Sequence, residues 1–245
     1  MTKFFRKLRH DLMERNEIGK YLKYAIGEII LVVIGILIAL YINNWNEINK
    51  SKDQLNNIYS KVELNLKTDL SNINDIIKEY EQLDERLRTM VSEEYSNTLL
   101  NSINANNYAD CIPCGGDIIS YIPFEIQDKG LELLKTFNDL NATAYKELSN
   151  EIIYFYSISE TLDIVLNKLK EESFNNIKYF EQFPWYSDFM NGRFNPNTID
   201  FFAKNEIYKN KVNTYRLLAT QNYLSMLKYY QESATIVLEK IEASD

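Results

Sequence analysis

The chain has very little of what common enzyme chemistries require. Its one histidine, His10, stands before the first long apolar run, so everything after that run lacks a histidine for general acid–base work, nucleophile activation or metal ligation. The seven glycines form no phosphate-cradling loop, and no Gly-x-Ser-x-Gly elbow is present. Glycine and proline, seven and four, are sparse for 245 residues, and no period-two alternation stands out, so strands are expected to be few. Acidic residues outnumber basic ones, 35 to 27, and the excess lies beyond the apolar run, which speaks against nucleic acid as a partner. Neither an enzyme nor a cofactor is expected.

What the chain does have is "YAIGEIILVVIGILIALYINNW", residues 24–45. Ile29 to Ile42 is uncharged, and counting from Tyr24 gives a helix of roughly 28 Å, close to the hydrocarbon thickness of a bilayer. That span requires Glu28 to be tolerated. It sits about one turn inside Tyr24, within reach of the headgroups, where a charge costs less than at a span centre. Tyr21, Tyr24, Tyr41 and Trp45 bracket the run as interfacial aromatics do.

Lys3, Arg6, Lys7, Arg9, Arg15, Lys20 and Lys23 precede the run against Asp11, Glu14 and Glu17, and the positive-inside rule keeps such a flank in the cytoplasm. The basic flank is long for a secretory signal, and Leu40-Tyr41-Ile42-Asn43-Asn44 lacks the small-x-small pattern of a cleavage site, so a retained anchor is expected. The expected organisation is a cytoplasmic segment 1–23, a transmembrane helix 24–45 and a periplasmic domain 46–245 in a bacterial inner membrane. In "MTKFFRKLRHDLM", Phe5, Leu8 and Leu12 share a face ringed by basic residues, which suits a helix on the inner leaflet or a plain orientation signal.

The stretches "KFFRKLR" and "GKYLKYAIGEIILVVIGILIALYINNWNE" resemble the opening of a family of uncharacterised single-span membrane proteins, met mostly in flavobacteria and catalogued as a domain of unknown function. Residues 208–242 are more weakly similar to that family's C-terminal helix. The resemblance implies an inner-membrane protein with a helical ectodomain. It supplies no activity, substrate or catalytic residue, and it does not extend to Cys111 and Cys114.

The remainder reads as all-α. Leu55, Ile58, Val62, Leu66, Leu70, Ile73, Ile77, Tyr80, Leu83, Leu87 and Val91 recur at steps of three and four, predicting one long amphipathic helix over 48–91, continuous with the span or separate from it. A strict heptad is not sustained, which disfavours an uninterrupted coiled coil. Further helices are expected from just after Pro123 to about Leu140, from about Thr143 to Phe180, and from about Glu206 to Ile241. The last carries Tyr208, Val212, Tyr215, Ala219, Tyr223, Met226, Tyr230, Ala234, Val237 and Ile241 on its apolar face. An elongated antiparallel helical bundle in one ectodomain would bury these stripes.

Three sets of residues invite a chemical reading. Cys111 and Cys114, in "CIPCGG", are the only two cysteines, and in an oxidising compartment they are a disulfide candidate. A dithiol redox pair, thiolates pooled from two chains around zinc, and free thiols in a loop are the other readings. Phe183, Trp185, Tyr186, Phe189 and Phe194 crowd one stretch with proline and glycine, and such aromatics either anchor a partner or cap the end of a bundle. Glu28, Gly35 and Ala39 share a face of the span, and Gly35-x-x-x-Ala39 permits close helix approach, so they are candidates for association within the membrane. Neighbouring acids such as Asp84 with Glu85 and Glu171 with Glu172 are expected on solvated helix faces.

The expectation that follows is a non-enzymatic, membrane-anchored scaffold or accessory protein, in contact with the bilayer and with a protein partner or another copy of its own span. A ligand sensor signalling through the span is the alternative. A thiol oxidoreductase using Cys111 and Cys114 is a third.

Overall fold

A computed structural model describes residues 18–137 and 146–244, and within them every regular element is helical. The chain divides into two units, residues 1–55 with 139–143 and residues 56–138 with 144–245. Helix α1 runs Ile18–Met90. In the first unit its residues from Leu22 onward form a candidate membrane span, and the most apolar window is entirely unburied. Leu31, for example, is 69% exposed.

In the second unit α1 is amphipathic, as its stripe requires. Val62, Leu66, Ile73, Ile77, Tyr80, Leu83 and Leu87 are buried there, as is Leu55, the last α1 residue of the first unit. The buried face is displaced from the expected one at three places: Tyr59, Asp69 and Met90 are buried, whereas Ile58, Leu70 and Val91 are half-buried. Adjacent positions lie only 100° apart, so the partner helices decide which of two neighbours faces the core. At Asp69 they select a carboxylate. Ser92 caps the next helix, α2 (Glu93–Ser102), by accepting the Tyr95 N–H at 3.2 Å, with Glu93 and Glu94 favourably placed in its first turn.

The final helical run antiparallels α1. It consists of α8 (Glu206–Arg216), a π-helical stretch Leu217–Tyr223 and α9 (Leu224–Glu242). The contacts run in opposite chain order: Asp69 with Tyr230, Glu81 with Lys228, Asp84 with Arg216, and Met90 with Tyr208. The expected single helix is thus interrupted by a widened turn, in which the Leu224 N–H bonds back to the Ala219 carbonyl. The shift in register buries Leu227 and leaves Met226 half-buried, reversing their expected roles.

Two other expected helices are shorter than the sequence pattern implies. The third breaks at Ser157 into α4 (Lys146–Tyr156) and α5 (Ile158–Phe180), where the Ser157 amide and hydroxyl both bond to the Tyr154 carbonyl. Its predicted start, Thr143–Tyr145, lies outside the described residues. The second helix is only α3 (Lys129–Thr136), and the stretch before it, 120–128, has no regular secondary structure. Pro123 disfavours a helical Ile122, and the surrounding helices hold the segment open.

That segment runs through the helical unit without a β partner, so side chains must satisfy its backbone. Tyrosine hydroxyls do most of this. Tyr215 donates to the Ser120 carbonyl. The Tyr80 hydroxyl both accepts from the Ile122 N–H at 3.0 Å and donates to its carbonyl at 3.2 Å. Tyr223 accepts the Phe124 N–H at 2.8 Å, and Tyr156 donates to the Gln127 carbonyl at 3.2 Å. Asp69 accepts the Gln127 N–H at 3.2 Å, and Asn65 accepts the Gly130 N–H at 2.8 Å. Burial pushes the Tyr80 hydroxyl up to about 12 and those of Tyr156, Tyr215, Tyr223 and Tyr230 higher still, so all remain neutral and able to donate at physiological pH.

The far end of the unit is closed by α6 (Tyr186–Met190) and α7 (Pro196–Lys204). The rings of Phe180, Trp185, Phe189, Phe201, Phe202 and Tyr208 pack there edge-to-face or tilted, with Trp185 and Phe201 centroids 4.8 Å apart. Burying an aromatic side chain of this kind contributes on the order of 2–3 kcal/mol.

Candidate functional site

Cys111 and Cys114 are joined, with sulfurs 2.04 Å apart, in a run of short 3₁₀ turns at Tyr108–Asp110, Ile112–Gly115 and Asp117–Ile119. In this structure neither is a free thiol or a thiolate ligand. Among the described residues no group of histidine, cysteine and carboxylate side chains is arranged to hold a metal ion. Gly116 sits at φ 77°, the left-handed conformation that ends the second turn, and its N–H bonds to the Pro113 carbonyl.

The cystine lines an open cleft of about 640 Å³ together with Arg86, Asn106, Tyr108 and Asp117. Arg86 forks onto Asp117, with Nε at 2.9 Å and an Nη at 3.1 Å, and also reaches Glu79 at 2.9 Å. The hydrogen bonds to Asp117 hold its guanidinium even more firmly protonated than usual. The two cysteines both line the cleft but are not equally exposed: Cys111 is 3% exposed, whereas Cys114 is half-buried. A cross-link that spans so few residues removes little chain entropy, roughly 2 kcal/mol by the loop-closure relation.

A second, apolar feature lies between the start of α5, the end of α4 and α9. This trough of about 500 Å³ is lined by Tyr154, Phe155, Ile158, Met226, Tyr229 and Ile236, with Glu151 and Lys240, 2.8 Å apart, completing the wall. Tyr154 is 79% exposed, and Tyr229 and Ile236 are each 54% exposed. Open apolar surface of this kind on a folded domain is a common mark of a binding site. Local spacing gives no sign of it, because Tyr229 and Ile236 fall off the buried stripe of α9.

Of the aromatic candidates, Trp185 and Phe189 are buried in the end cluster and present no face to a partner, while Phe183, Tyr186 and Phe194 are half-buried. Phe183 stacks on Trp185 with ring planes 12° apart, and Phe194 meets Tyr108 edge-on. On the candidate span, Gly35 and Ala39 are exposed, Glu28 is half-buried, and a Cβ added at Gly35 would meet nothing within 4 Å.

Asp84 is not the solvated carboxylate that was expected. It accepts from Arg216 at 2.7 Å, from Thr220 at 2.7 Å and from Arg88 at 2.8 Å, tying α1 to the π-helical turn. Burial alone would raise its carboxyl, but these three donors outweigh that and hold it below the usual carboxylate range. Glu172 lies 3.8 Å from Lys211.

The sequence profile of a family of unknown function, DUF6090, matches residues 28–114. The chain is therefore similar to that family from the candidate span through the whole of α2 to the cystine. No curated protein and no solved structure matches the chain.

Proposed function

We propose that the chain is a non-enzymatic, membrane-anchored binding protein of a bacterial inner membrane. In this reading residues 24–45 span the bilayer, the preceding basic residues are cytoplasmic, and the helical domain stands in the periplasm as a scaffold or accessory subunit. The span proposal is supported by the unburied apolar window of α1, since hydrocarbon is the environment in which such a surface costs nothing. The basic flank supports the orientation.

The observation that carries the binding role is the trough beside Tyr154. Its exposed aromatic and aliphatic walls are what a partner's apolar side chain would cover, while the titratable clusters around Asp84, Arg86 and Asp69 are occupied by structural pairing. A photo-crosslinking residue placed at Tyr154 in living cells should give a discrete protein adduct that Ile236→Glu removes and that the same probe at an exposed polar site such as Glu239 does not give. No adduct, or the same adduct at both sites, would overturn the reading. A phosphatase fusion at the C-terminus, active only outside the cytoplasm, tests the orientation.

The trough also has the volume of a small-molecule site, which favours ligand sensing as the second reading. A ligand screen by thermal shift, repeated on Ile236→Glu, separates the two: a small molecule that stabilises only the parent chain supports sensing.

A further inference from the structure

We propose that the Cys111–Cys114 cystine is a thiol-exchange site, in which Cys114 Sγ is the atom attacked by an external dithiol and Cys111 is the leaving group. The proposal is independent of the apolar trough and goes beyond a binding role. Three observations carry it.

The first is access. Both cysteines line the open cleft, but Cys111 is 3% exposed whereas Cys114 is half-buried, so a thiolate arriving from solvent meets Cys114 more readily than Cys111. Exchange rates depend on which sulfur can be reached as well as on thiol acidity.

The second is that the bond has little structural work to do. Its ring closes a sequence separation of only three. The segment around it is already held on both sides. Tyr95 accepts the Ile112 N–H at 2.9 Å and donates to the Asp110 carbonyl at 3.3 Å. Downstream, Arg86 forks onto Asp117, and Asn176 donates to the Ile118 carbonyl at 2.9 Å. None of these contacts is made by a cysteine sulfur.

The third is the mixed lining of the cleft. Arg86, Asn106 and Asp117 stand on its wall together with Tyr108 and Ile112, so it offers both hydrogen-bonding and apolar groups to a segment carrying the attacking thiol.

The exchange balances as follows. A thiolate of the dithiol attacks Cys114 Sγ, the Cys111–Cys114 bond breaks, and Cys111 departs as a thiolate that takes a proton from water. The second thiolate of the dithiol then attacks its own half of the mixed disulfide and expels Cys114 as a thiolate, which is protonated in turn. The dithiol loses two electrons and becomes a disulfide, and the ring gains them as two thiols.

The full chain in detergent, treated with dithiothreitol as the dithiol, provides the test. The ring should be reduced under native conditions at a rate that guanidinium raises less than tenfold, and the thermal transition should move by only a few degrees. Limiting N-ethylmaleimide added to the reduced chain should label Cys114 at least tenfold ahead of Cys111, as mapped by mass spectrometry. A Cys111→Ser chain should correspondingly react with Ellman's reagent at least tenfold faster than Cys114→Ser. Reduction only after unfolding, loss of the thermal transition on reduction, or equal or reversed labelling of the wild-type sulfurs would each overturn the proposal.

Discussion

The Tyr230 hydroxyl donates to the Asp69 carboxylate at 2.6 Å, and the same carboxylate accepts the Gln127 N–H, so one buried acid joins α1, α9 and the irregular segment 120–128. Among the described residues its hydrogen-bond partners are these two neutral donors. Burial, only partly offset by those bonds, raises its carboxyl from 3.8 to about 6.

This raised value sets the sign of a pH effect. The folded state holds the proton at pH values where the unfolded chain has released it, so the Asp69 contribution is fully present below about pH 4 and is lost as pH rises through 6. At 1.36 kcal/mol per unit, the loss is about 3 kcal/mol. Asp69→Asn should remove this slope, leaving the variant at least as stable as the parent at pH 7. Urea unfolding between pH 4 and pH 7.5 checks it, and parallel profiles for the two chains would refute it.

Asp84 has the opposite sign. Its carboxyl is held low, so its contribution exists above the unfolded value and disappears as pH falls through the folded one. Asp84→Asn should therefore destabilise the chain at pH 7 and leave it close to the parent in strong acid. High salt should reduce the difference, since the pairs with Arg216 and Arg88 are partly solvated. Thermal melts at two pH values and two salt concentrations read all of this out.

Gly130 marks a close approach of α3 to α1: a Cβ there would lie 2.7 Å from the Val62 backbone nitrogen and 2.8 Å from its Cα. Backbone cannot give way as a side-chain tip can. Gly130→Ala should cost about 1–3 kcal/mol or more, against the small gain that alanine normally brings to a helix. A denaturation midpoint equal to or above the parent's would show that the contact is looser than described.

Tyr223→Phe keeps the ring, with its edge-to-face contact to Tyr80, but strips the buried Phe124 N–H of its acceptor. The expected cost is about 1–3 kcal/mol. Hydrogen exchange at the Phe124 amide should accelerate more than in the surrounding helices. Uniform acceleration would instead mean that the segment is held chiefly by its side chains.

Gly35→Ile tests association through the proposed span. The glycine lies on the exposed face with Ala39, where a branched side chain would keep two helices apart. A bacterial membrane two-hybrid signal for self-association should fall several-fold, and an unchanged signal would discard this face as the contact.

How much of this was legible in the chain follows from the range of the interactions. The stripes of α1 and of the last helical run repeat every turn, so local spacing alone located most of their buried positions. Residues 124–128 were read as the beginning of a helix, because what holds them out of one is contributed from far away in sequence, by Tyr223, Asp69 and Tyr156. Nothing near Pro123 indicates those partners. The break at Ser157 and the π-helical turn were hidden for a related reason: both preserve an apolar pattern close to that of an unbroken helix.

The sequence by itself determined the all-helical class, the exposed apolar stretch that makes a membrane span a candidate, and the scarcity of catalytic side chains, because these depend on composition and on periods of a few residues. Only the tertiary structure decided that Asp69 is buried, that Cys114 is more exposed than Cys111, and that Tyr154, Tyr229 and Ile236 share one trough. Each of those depends on which distant helices meet, and hydrophobic periodicity specifies that a face is buried without specifying what it is buried against.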